Sequence, residues 1–164
     1  MQLVDYEALT PVQRQQLLDI EVTTAQHAFS GDITTALYNL VGMPGEAVRG
    51  FALLVADVPQ AFLLVKRGVF LAAWAHAKAA TLNALQVDHR CQGQGLGRAC
   101  LAALPGAVKA VWPEVECLQL SVDEDNVAGI GLYRRMGWVD DGEAYQGRFG
   151  RERRMTLRMP VQEA

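Results

Sequence analysis

The sequence predicts an α/β (α+β) fold built around one helical crossover. The first observation is a strand pattern over residues 81–87, a glycine-rich turn, a helix pattern over residues 96–111 and a second strand pattern over residues 117–122. A crossover of this kind is right-handed in almost all proteins, and its two strands lie parallel in one sheet. The second observation is that further strand patterns precede and follow this unit.

Two apolar runs before the crossover predict an antiparallel pair of strands. They cover residues 48–56 and 61–66, and Asp57-Val58-Pro59-Gln60 between them has the composition of a tight connection. After the crossover, the patterns predict a helix closed by a glycine and then two more strands. These three elements are expected at residues 126–135, 138–145 and 153–159.

The N-terminal half of the chain is predicted less completely. Residues 3–6 favour a short strand, and Thr10-Pro11 predicts a helix start because threonine caps helices and proline suits the first helical position. Asp32 predicts the cap of a second short helix. Residues 67–80 are treated as an insertion, since their periodicity does not separate helix from loop. No repeat or linker is visible, so a single domain over residues 1–164 is expected.

Composition limits the class of function. A net charge of -3 and a pI near 5.6 provide no general field for attracting nucleic acid or an anionic membrane. No apolar run approaches the ~20 residues of a membrane span and no leader pattern opens the sequence, so a cytoplasmic protein is expected. Cys91, Cys100 and Cys117 have neither zinc-ligand nor disulfide-motif spacing, which favours free thiols and no metal.

The turn Gln92-Gly93-Gln94-Gly95-Leu96-Gly97 is the strongest local signal for ligand binding. It lies between a strand and a helix, where backbone N–H groups converge at the positive end of the helix dipole. Glycine lets phosphate oxygens approach the backbone and tolerates positive φ, which costs other residues roughly 1–2 kcal/mol. The turn therefore favours pyrophosphate binding, with Arg90 and Arg98 as nearby positive charge. Taken alone, the glycines are explained equally well by a sharp turn with close helix packing.

The residues at and after the turn argue against two nucleotide-binding alternatives. A Walker-type loop needs Gly-Lys-Ser or Gly-Lys-Thr, whereas Leu96-Gly97-Arg98 stands here. A dinucleotide-binding fingerprint requires glycine or alanine where Arg98 or Cys100 stands, depending on the register. Both functions are therefore disfavoured, and another α/β protein with a phosphate ligand remains a weaker alternative.

Two blocks of sequence resemble the GNAT superfamily of acetyltransferases. The first, Gln92-Gly93-Gln94-Gly95-Leu96-Gly97, matches the family signature of Gln or Arg, two residues, Gly, one residue, then Gly or Ala. The second, Asn126 followed by Leu132-Tyr133 and Met136-Gly137-Trp138, is similar to the family's Asn…Leu-Tyr…Gly-Phe run. Together the blocks and their flanks cover residues 81–145 of the 164 in the chain.

The resemblance implies a mixed, mostly antiparallel central sheet of about six or seven strands, flanked by about four helices. The fourth and fifth strands, here residues 81–87 and 117–122, would splay apart around acetyl-CoA. The implied reaction moves the acetyl group of acetyl-CoA to a primary amine of a small molecule or peptide by direct attack. Dimers are common among similar proteins, but no feature of this sequence decides the oligomeric state.

The resemblance also implies roles for individual residues. Tyr133 would be the general acid that protonates the departing thiolate, since a phenol with a pKa of about 10 stays protonated at neutral pH. The backbone N–H of Val87 would contact the thioester carbonyl. Core packing for Tyr133 and helix capping for Asn126 are the structural alternatives. The implied contacts with acetyl-CoA are Leu85, Gln86, Val87, Gln92, Gly93, Gln94, Gly95, Leu96, Gly97, Arg98, Asn126 and Tyr133.

The base that deprotonates the amine is not assigned by the sequence. The family often has a glutamate on the fourth strand where this chain has Thr81. That difference leaves open a non-catalytic acyl-CoA-binding sensor or scaffold with the same fold. Candidates for the base by chemistry alone are Glu21, His27, His76, Asp88 and Ser121.

Residues that line the acceptor site are expected in the segment after the first helix and in the insertion. Core packing is an equal alternative for each of them. Asp32 is the only carboxylate in residues 23–35 and 66–80, so the sequence does not identify the acceptor. The expected lining residues are Gln26, His27, Phe29, Trp74 and Tyr145.

Overall fold

The computed structural model describes residues 1–26, 31–41, 46–147 and 150–160, and it confirms the predicted fold class. The strands are β1 (Gln2–Asp5), β2 (Val48–Val55), β3 (Val58–Lys66), β4 (Ala79–Val87), β5 (Cys117–Asp123), β6 (Val139–Gln146) and β7 (Arg151–Arg158). They form one sheet in the order β1-β2-β3-β4-β5-β7-β6. The helices that flank the sheet are α1 (Pro11–Leu17), α2 (Ile33–Tyr38), α3 (Leu96–Val111) and α4 (Val127–Arg135).

The sheet is mixed and mostly antiparallel, as expected. β4 and β5 pair in parallel, and the other neighbouring strands in the described residues pair antiparallel. Helix α3 connects the parallel pair and has the predicted bounds, although Pro105 lies inside it. The predicted β-α-β unit is therefore confirmed.

Side-chain caps fix the starts of the first two helices. Thr10 accepts a hydrogen bond from the backbone N–H of Gln13, and the Gln13 side chain accepts one from the N–H of Thr10, which forms a capping box at the predicted position. Asp32 accepts a hydrogen bond from the N–H of Thr35 at 2.7 Å and caps α2, also as predicted. Helix α1 ends at Leu17, before the apolar pattern in the sequence fades.

The hairpin between β2 and β3 has a shorter turn than predicted. Ala56 and Asp57 have φ values of 49° and 64° and form a two-residue connection, so the expected loop over residues 57–60 is wrong. Two adjacent residues at positive φ match the right-handed twist of the flanking strands. Val58 and Pro59 belong to β3, and the register shift opposite Leu53 and Leu54 is the kind of irregularity where a sheet tolerates proline.

Residues 67–80, which the sequence left open, form no long helix. One 3-10 turn spans Gly68–Phe70, and β4 begins at Ala79, two residues before the predicted start. Two contacts explain the earlier start of the strand. Glu116 N–H donates to the carbonyl of Lys78 at 3.0 Å, and His76 N–H donates to Oε1 of Gln119 at 2.7 Å.

The sheet separates two apolar cores. Leu101, Leu104 and Val108 of α3 are buried against one face, together with residues of β3, β4, β5 and β7. Leu17 and Phe62 are fully buried in the core on the other face, which α1 and α2 cover. Among the described helices, none combines the length and the apolar character that a membrane crossing requires.

Candidate active site

The gap between β4 and β5 opens a large cavity at the surface. The two strands pair only through Ala79–Cys117, Ala80–Leu118 and Thr81–Gln119, and beyond these positions they separate as the resemblance implied. A cavity of about 870 Å³ occupies the gap and extends to the glycine turn and α4. Backbone groups of both strands that are not paired across the gap therefore border the cavity.

A β-bulge shapes the β4 wall of this cavity. Asn83 pairs with Leu64 and Gln86 with Phe62, so three steps along β4 oppose two along β3. Ala84 inside the bulge has a φ of 53°, an uncommon value for a residue with a Cβ. The extra residue changes the alternation of the strand, so that Leu82 and Leu85 both face the core under α3 and α4.

The backbone of Val87 points away from β3. Asp88 N–H donates to the carbonyl of Gln60 at 3.0 Å, and Val87 lies opposite Ala61. In an antiparallel ladder the hydrogen-bonded pairs alternate, so the neighbouring residue directs its N–H and C=O to the other side of the strand. That side is the gap, where Val87 lines the cavity.

The glycine turn presents uncapped backbone to the cavity. Gly93 and Gly95 both have a φ of 77°, and a Cβ at either position would meet no described atom within 4 Å. Gly95 is the N-cap of α3 and provides no side-chain hydrogen bond, whereas Thr10, Asp32 and Asn126 cap the other three helices. The first N–H groups of α3 are thus left for an anion. Close helix packing applies to Gly97 instead, because a Cβ there would lie 3.3 Å from Cδ2 of Leu132.

Gln92 joins the turn to the strand that precedes it. Its Nε2 donates to the carbonyl of Val87 at 3.1 Å. Its Oε1 accepts a hydrogen bond from Nε2 of Gln26 at 3.2 Å, in a reciprocal amide pair. The side chain therefore holds three segments of the cavity wall together.

Basic residues near the turn have different environments. Arg98 lines the cavity, and so does Arg135 of α4, which no sequence motif indicated. Arg90 instead donates to both carboxylate oxygens of Asp88, each at 2.8 Å. Asp88 is only 1% exposed, and its hydrogen bonds from Arg90 lower the pKa of its carboxyl to about 2. Asp88 and Arg90 therefore form a structural ion pair.

Tyr133 of α4 is half-buried and lines the cavity from the side of the helices. Its ring lies 5.9 Å from that of Trp138, centroid to centroid. Burial raises the pKa of its phenol to about 12. Asn126 also lines the cavity while its Oδ1 accepts a hydrogen bond from the N–H of Gly129 at 3.0 Å, so it caps α4 and borders the site at once.

Comparison with known proteins decides the family. The sequence model of the acetyltransferase (GNAT) family matches residues 13–138, well over half of the chain. The chain belongs to the GNAT family of acetyltransferases. This confirms the resemblance stated from the two sequence blocks, and with it the enzyme class, an acetyl-CoA-dependent N-acetyltransferase. A search of curated proteins by sequence finds no match.

Solved GNAT structures share the fold over nearly the whole chain. The Escherichia coli ribosomal-protein-S18-alanine N-acetyltransferase is 27% identical, with 99% of this chain and 95% of that chain covered and a TM-score of 0.65. A spermidine N-acetyltransferase chimera from Vibrio cholerae and hSSAT is 17% identical, with 96% of each chain covered and a TM-score of 0.64. AAC(6')-Ib in complex with paromomycin and acetyl-CoA is 15% identical, with coverages of 96% and 94% and a TM-score of 0.72.

The residues around the cavity fit the acetyl donor of this enzyme class. An extended pantetheine needs backbone partners, and the separated strands leave the Val87 peptide free of β3. A pyrophosphate needs N–H donors and open space, which the uncapped start of α3 and the positions around Gly93 and Gly95 provide. Among the described residues, no group of three His, Cys, Asp or Glu side chains is arranged to hold a metal ion.

Most of the predicted site residues meet at this cavity, while their individual roles remain predictions. Gln86 is buried away from it, Gln94 is exposed, and Trp74 lies outside its lining. His27 and Phe29 lie outside the described residues. Those that line the cavity are Gln26, Leu85, Val87, Gln92, Gly93, Gly95, Leu96, Gly97, Arg98, Asn126, Tyr133 and Tyr145.

The candidates for the general base differ in whether they line the cavity. Ser121 lines the cavity, whereas Glu21, His76 and Asp88 do not. His76 accepts a hydrogen bond at Nδ1 from the N–H of Lys78 at 3.2 Å, which places it in the loop before β4. None of these four is a carboxylate that faces the cavity.

Two carboxylates line the cavity that were not predicted from the sequence, namely Asp123 and Glu152. Asp123 is the last residue of β5 and 8% exposed, and Glu152 pairs with it from β7. Glu152 stands in the charged run 151–154 and outside the predicted strand, so nothing local in the sequence marked it. Burial, and next the charge of Asp123, raise the pKa of the Glu152 carboxyl, while hydrogen bonding to Ser121 and Tyr145 lowers it less.

Proposed function

We propose that this protein transfers the acetyl group of acetyl-CoA to a primary amine of a small molecule or peptide, by direct attack while both substrates are bound. The observation that carries the proposal is a single cavity bordered by the uncapped glycine turn at one end and by Tyr133 along its length. Acetyl-CoA, when bound, supplies an acetyl group activated as a thioester. The single domain expected for residues 1–164 provides every residue that the proposal uses.

Backbone groups of the chain would hold the donor and stabilise developing charge. The N–H groups at the start of α3 have no side-chain cap, and the space beside Gly93 and Gly95 is open. Each charge-assisted hydrogen bond from such a group to a phosphate would contribute about 1.5–3 kcal/mol. Arg98 adds positive charge at the same place. The N–H of Val87 faces the gap and would donate to the thioester oxygen as negative charge grows there.

Tyr133 would provide the proton that the departing sulfur takes up. Because burial raises the pKa of the phenol to about 12, the hydroxyl stays protonated at any pH at which the enzyme would work. The proton passed to the departing sulfur would be replaced by the one that the nitrogen gives up as the amide forms, so the phenol would act as a proton relay. The ring of Trp138 packs against the phenol ring, with the two centroids 5.9 Å apart.

Proteins with similar structures support an amine acceptor. They act on or bind a ribosomal-protein alanine, spermidine and an aminoglycoside. These acceptors share an amino group and differ in size. The acceptor class proposed for this chain is therefore no narrower than small-molecule and peptide amines.

Two measurements on the full chain test the proposal. Calorimetry should detect acetyl-CoA binding at micromolar concentrations, and CoA thiol release in the presence of an amine panel should exceed release without amines. Absence of acetyl-CoA binding would overturn the proposal. Binding without thiol release across polyamines, aminoglycosides and N-terminal peptides would instead favour the non-catalytic sensor with the same fold.

A further inference from the structure

The end of the sheet formed by β5, β7 and β6 has one face toward α3 and α4 and one face away from them. Leu118, Leu120 and Val122 of β5 belong to the core under the helices. Side chains alternate along a strand, so Ser121 and Asp123 point to the opposite face. We call this opposite face of β5, β7 and β6 the acceptor face.

Three strands place polar side chains together on the acceptor face. The register aligns Asp123 of β5 with Glu152 of β7, and Glu152 with Tyr145 of β6. These three residues and Ser121 all line the cavity. Glu152 thus lies at the edge of the same cavity that Tyr133 borders from the side of the helices.

We propose that the carboxylate of Glu152 is the base that takes the proton of the acceptor's ammonium group, and that the acceptor is a cationic primary amine. The inference rests on the proposed function, and it names the base and the charge of the acceptor. The family often has a carboxylate on the fourth strand, whereas the base proposed here lies on the seventh. The resemblance alone therefore could not locate it.

The groups that face Glu152 favour this role. Asp123 is held by a hydrogen bond from the N–H of Asp125 at 2.8 Å, which leaves it as a fixed negative charge beside Glu152. Arg154, on the same strand, donates to Asp141 at 2.8 Å and to the carbonyl of Trp74 at 2.9 Å, so its charge is engaged away from Glu152. Two neighbouring carboxylates attract a cation, and the charge of Asp123 strengthens Glu152 as a base.

Burial supports the assignment in the same direction. Burial raises the pKa of the Glu152 carboxyl above its ordinary value, and a carboxylate with a raised pKa is a stronger base than an exposed one. Ser121 and Tyr145 bring hydroxyl groups to the same carboxylate. A proton received by Glu152 can therefore leave along polar groups that border the open cavity.

Acid and base border the cavity from opposite faces of the sheet, which suits the proton balance of the reaction. The bound ammonium passes one proton to Glu152, which releases it to water. The neutral nitrogen then forms a bond to the acetyl carbon as the carbon–sulfur bond breaks, and Tyr133 gives its proton to the sulfur. The second proton of the nitrogen leaves as the amide forms and restores the phenol.

The test compares Glu152→Gln with the wild type over pH 6 to 10, using an amine that the wild type acetylates. At pH 7 the kcat/KM for the amine should fall by roughly 10²-fold or more, since general-base catalysis contributes on that order. The deficit should shrink as the pH approaches the pKa of the amine, because the amine then arrives neutral. The affinity for acetyl-CoA, measured by calorimetry, should remain within about twofold of the wild type.

Glu143→Gln is the matched control. Glu143 pairs with Arg153 on the opposite face of the same two strands, so its variant removes an equal charge without facing the cavity. It should keep wild-type kcat/KM at every pH. A Glu152→Gln deficit that is the same at pH 7 and pH 10 would overturn the assignment as a base, and an undiminished kcat/KM would overturn it entirely. A wild type that acetylates no amine would contradict the proposed function itself.

Discussion

The side-chain amide of Gln92 donates to the carbonyl of Val87 at 3.1 Å, so the residue that opens the glycine turn also fixes the end of β4. Its reciprocal pair with Gln26 extends this link to the segment after α1. The distance between the turn and the edge of β4 must stay constant if both are to contact the same extended ligand.

Replacing Gln92 with alanine should weaken the binding of acetyl-CoA. The variant loses the hydrogen bonds to Val87 and Gln26, each with a net contribution of about 1 kcal/mol, and KM for acetyl-CoA should rise about tenfold. Steady-state kinetics with acetyl-CoA as the varied substrate measures this. Gln94→Ala, at an exposed position of the same turn, should change KM less than twofold. Equal effects of the two variants would contradict the role assigned to Gln92.

Alanine at Gly95 should separate conformational strain from ligand contact. Gly95 has a φ of 77° and open space where its Cβ would stand, space that the proposal assigns to a phosphate. The dissociation constant of acetyl-CoA, measured by calorimetry, should rise at least about tenfold, which corresponds to about 1.4 kcal/mol.

The control for Gly95 is Gly68, which has a φ of 62° and equally open surroundings outside the cavity. Gly68→Ala carries a comparable strain of roughly 1–2 kcal/mol, so both variants should melt at lower temperature. Only Gly95→Ala should lose affinity. Loss of affinity in both variants would show that strain alone explains the effect.

Removal of the phenol hydroxyl should slow turnover without weakening donor binding. For Tyr133→Phe we expect kcat to fall roughly 10²-fold, because the departing sulfur loses its proton donor, while acetyl-CoA affinity stays within about twofold. Stopped assays of thiol release together with calorimetry measure the two quantities. Tyr38→Phe, on the exposed side of α2, should behave as the wild type. Unchanged kcat in Tyr133→Phe would remove Tyr133 from the mechanism.

The Asp88–Arg90 pair should stabilise the fold in a pH-dependent way. The folded-state pKa of about 2 lies below the ordinary value of 3.8, so the contribution is complete above pH 4 and is lost as the pH falls toward 2. Asp88→Asn should therefore lower the free energy of unfolding by about 2 kcal/mol at pH 7 and by much less near pH 2.5. Urea unfolding at both values checks this.

Asp19→Asn is a suitable comparison for Asp88→Asn, because the Asp19 side chain is exposed. Its free energy of unfolding should match that of the wild type at both pH values. If Asp88→Asn were as destabilising at pH 2.5 as at pH 7, the stabilisation would come from packing and not from the ionised carboxyl.

Local chemistry explains which elements were predictable from the sequence. Thr10, Asp32 and the glycine turn act through neighbours within a few residues, and all three mark helix starts in the structure. Helix α3 was also predicted with its observed bounds. In the candidate site, local signals predicted the turn, whereas Tyr133 was predicted only through the family resemblance.

Features that depend on pairing between distant strands were not predictable. The early start of β4 depends on the contact between Lys78 and Glu116, which are far apart in sequence. Glu152 reaches the cavity only because β7 aligns it with Asp123. The predicted position of the turn at Ala56 and Asp57 was wrong for a different reason. Two adjacent residues with positive φ are usually indicated by a pair such as Asn-Gly, and Ala-Asp is a weaker signal.

The bulge at Ala84 determines which side chains of the fourth strand face the core. Ala80 and Leu82 before it and Leu85 and Val87 after it all face the core under α3 and α4, which a regular strand of the same residues could not achieve. Deletion or insertion of one residue here would move every later side chain of the strand to the opposite face of the sheet. It would also reverse the direction of every later peptide group, including those next to the glycine turn. Between Ala80 and Val87, this site is therefore compatible only with insertions or deletions of two residues at a time.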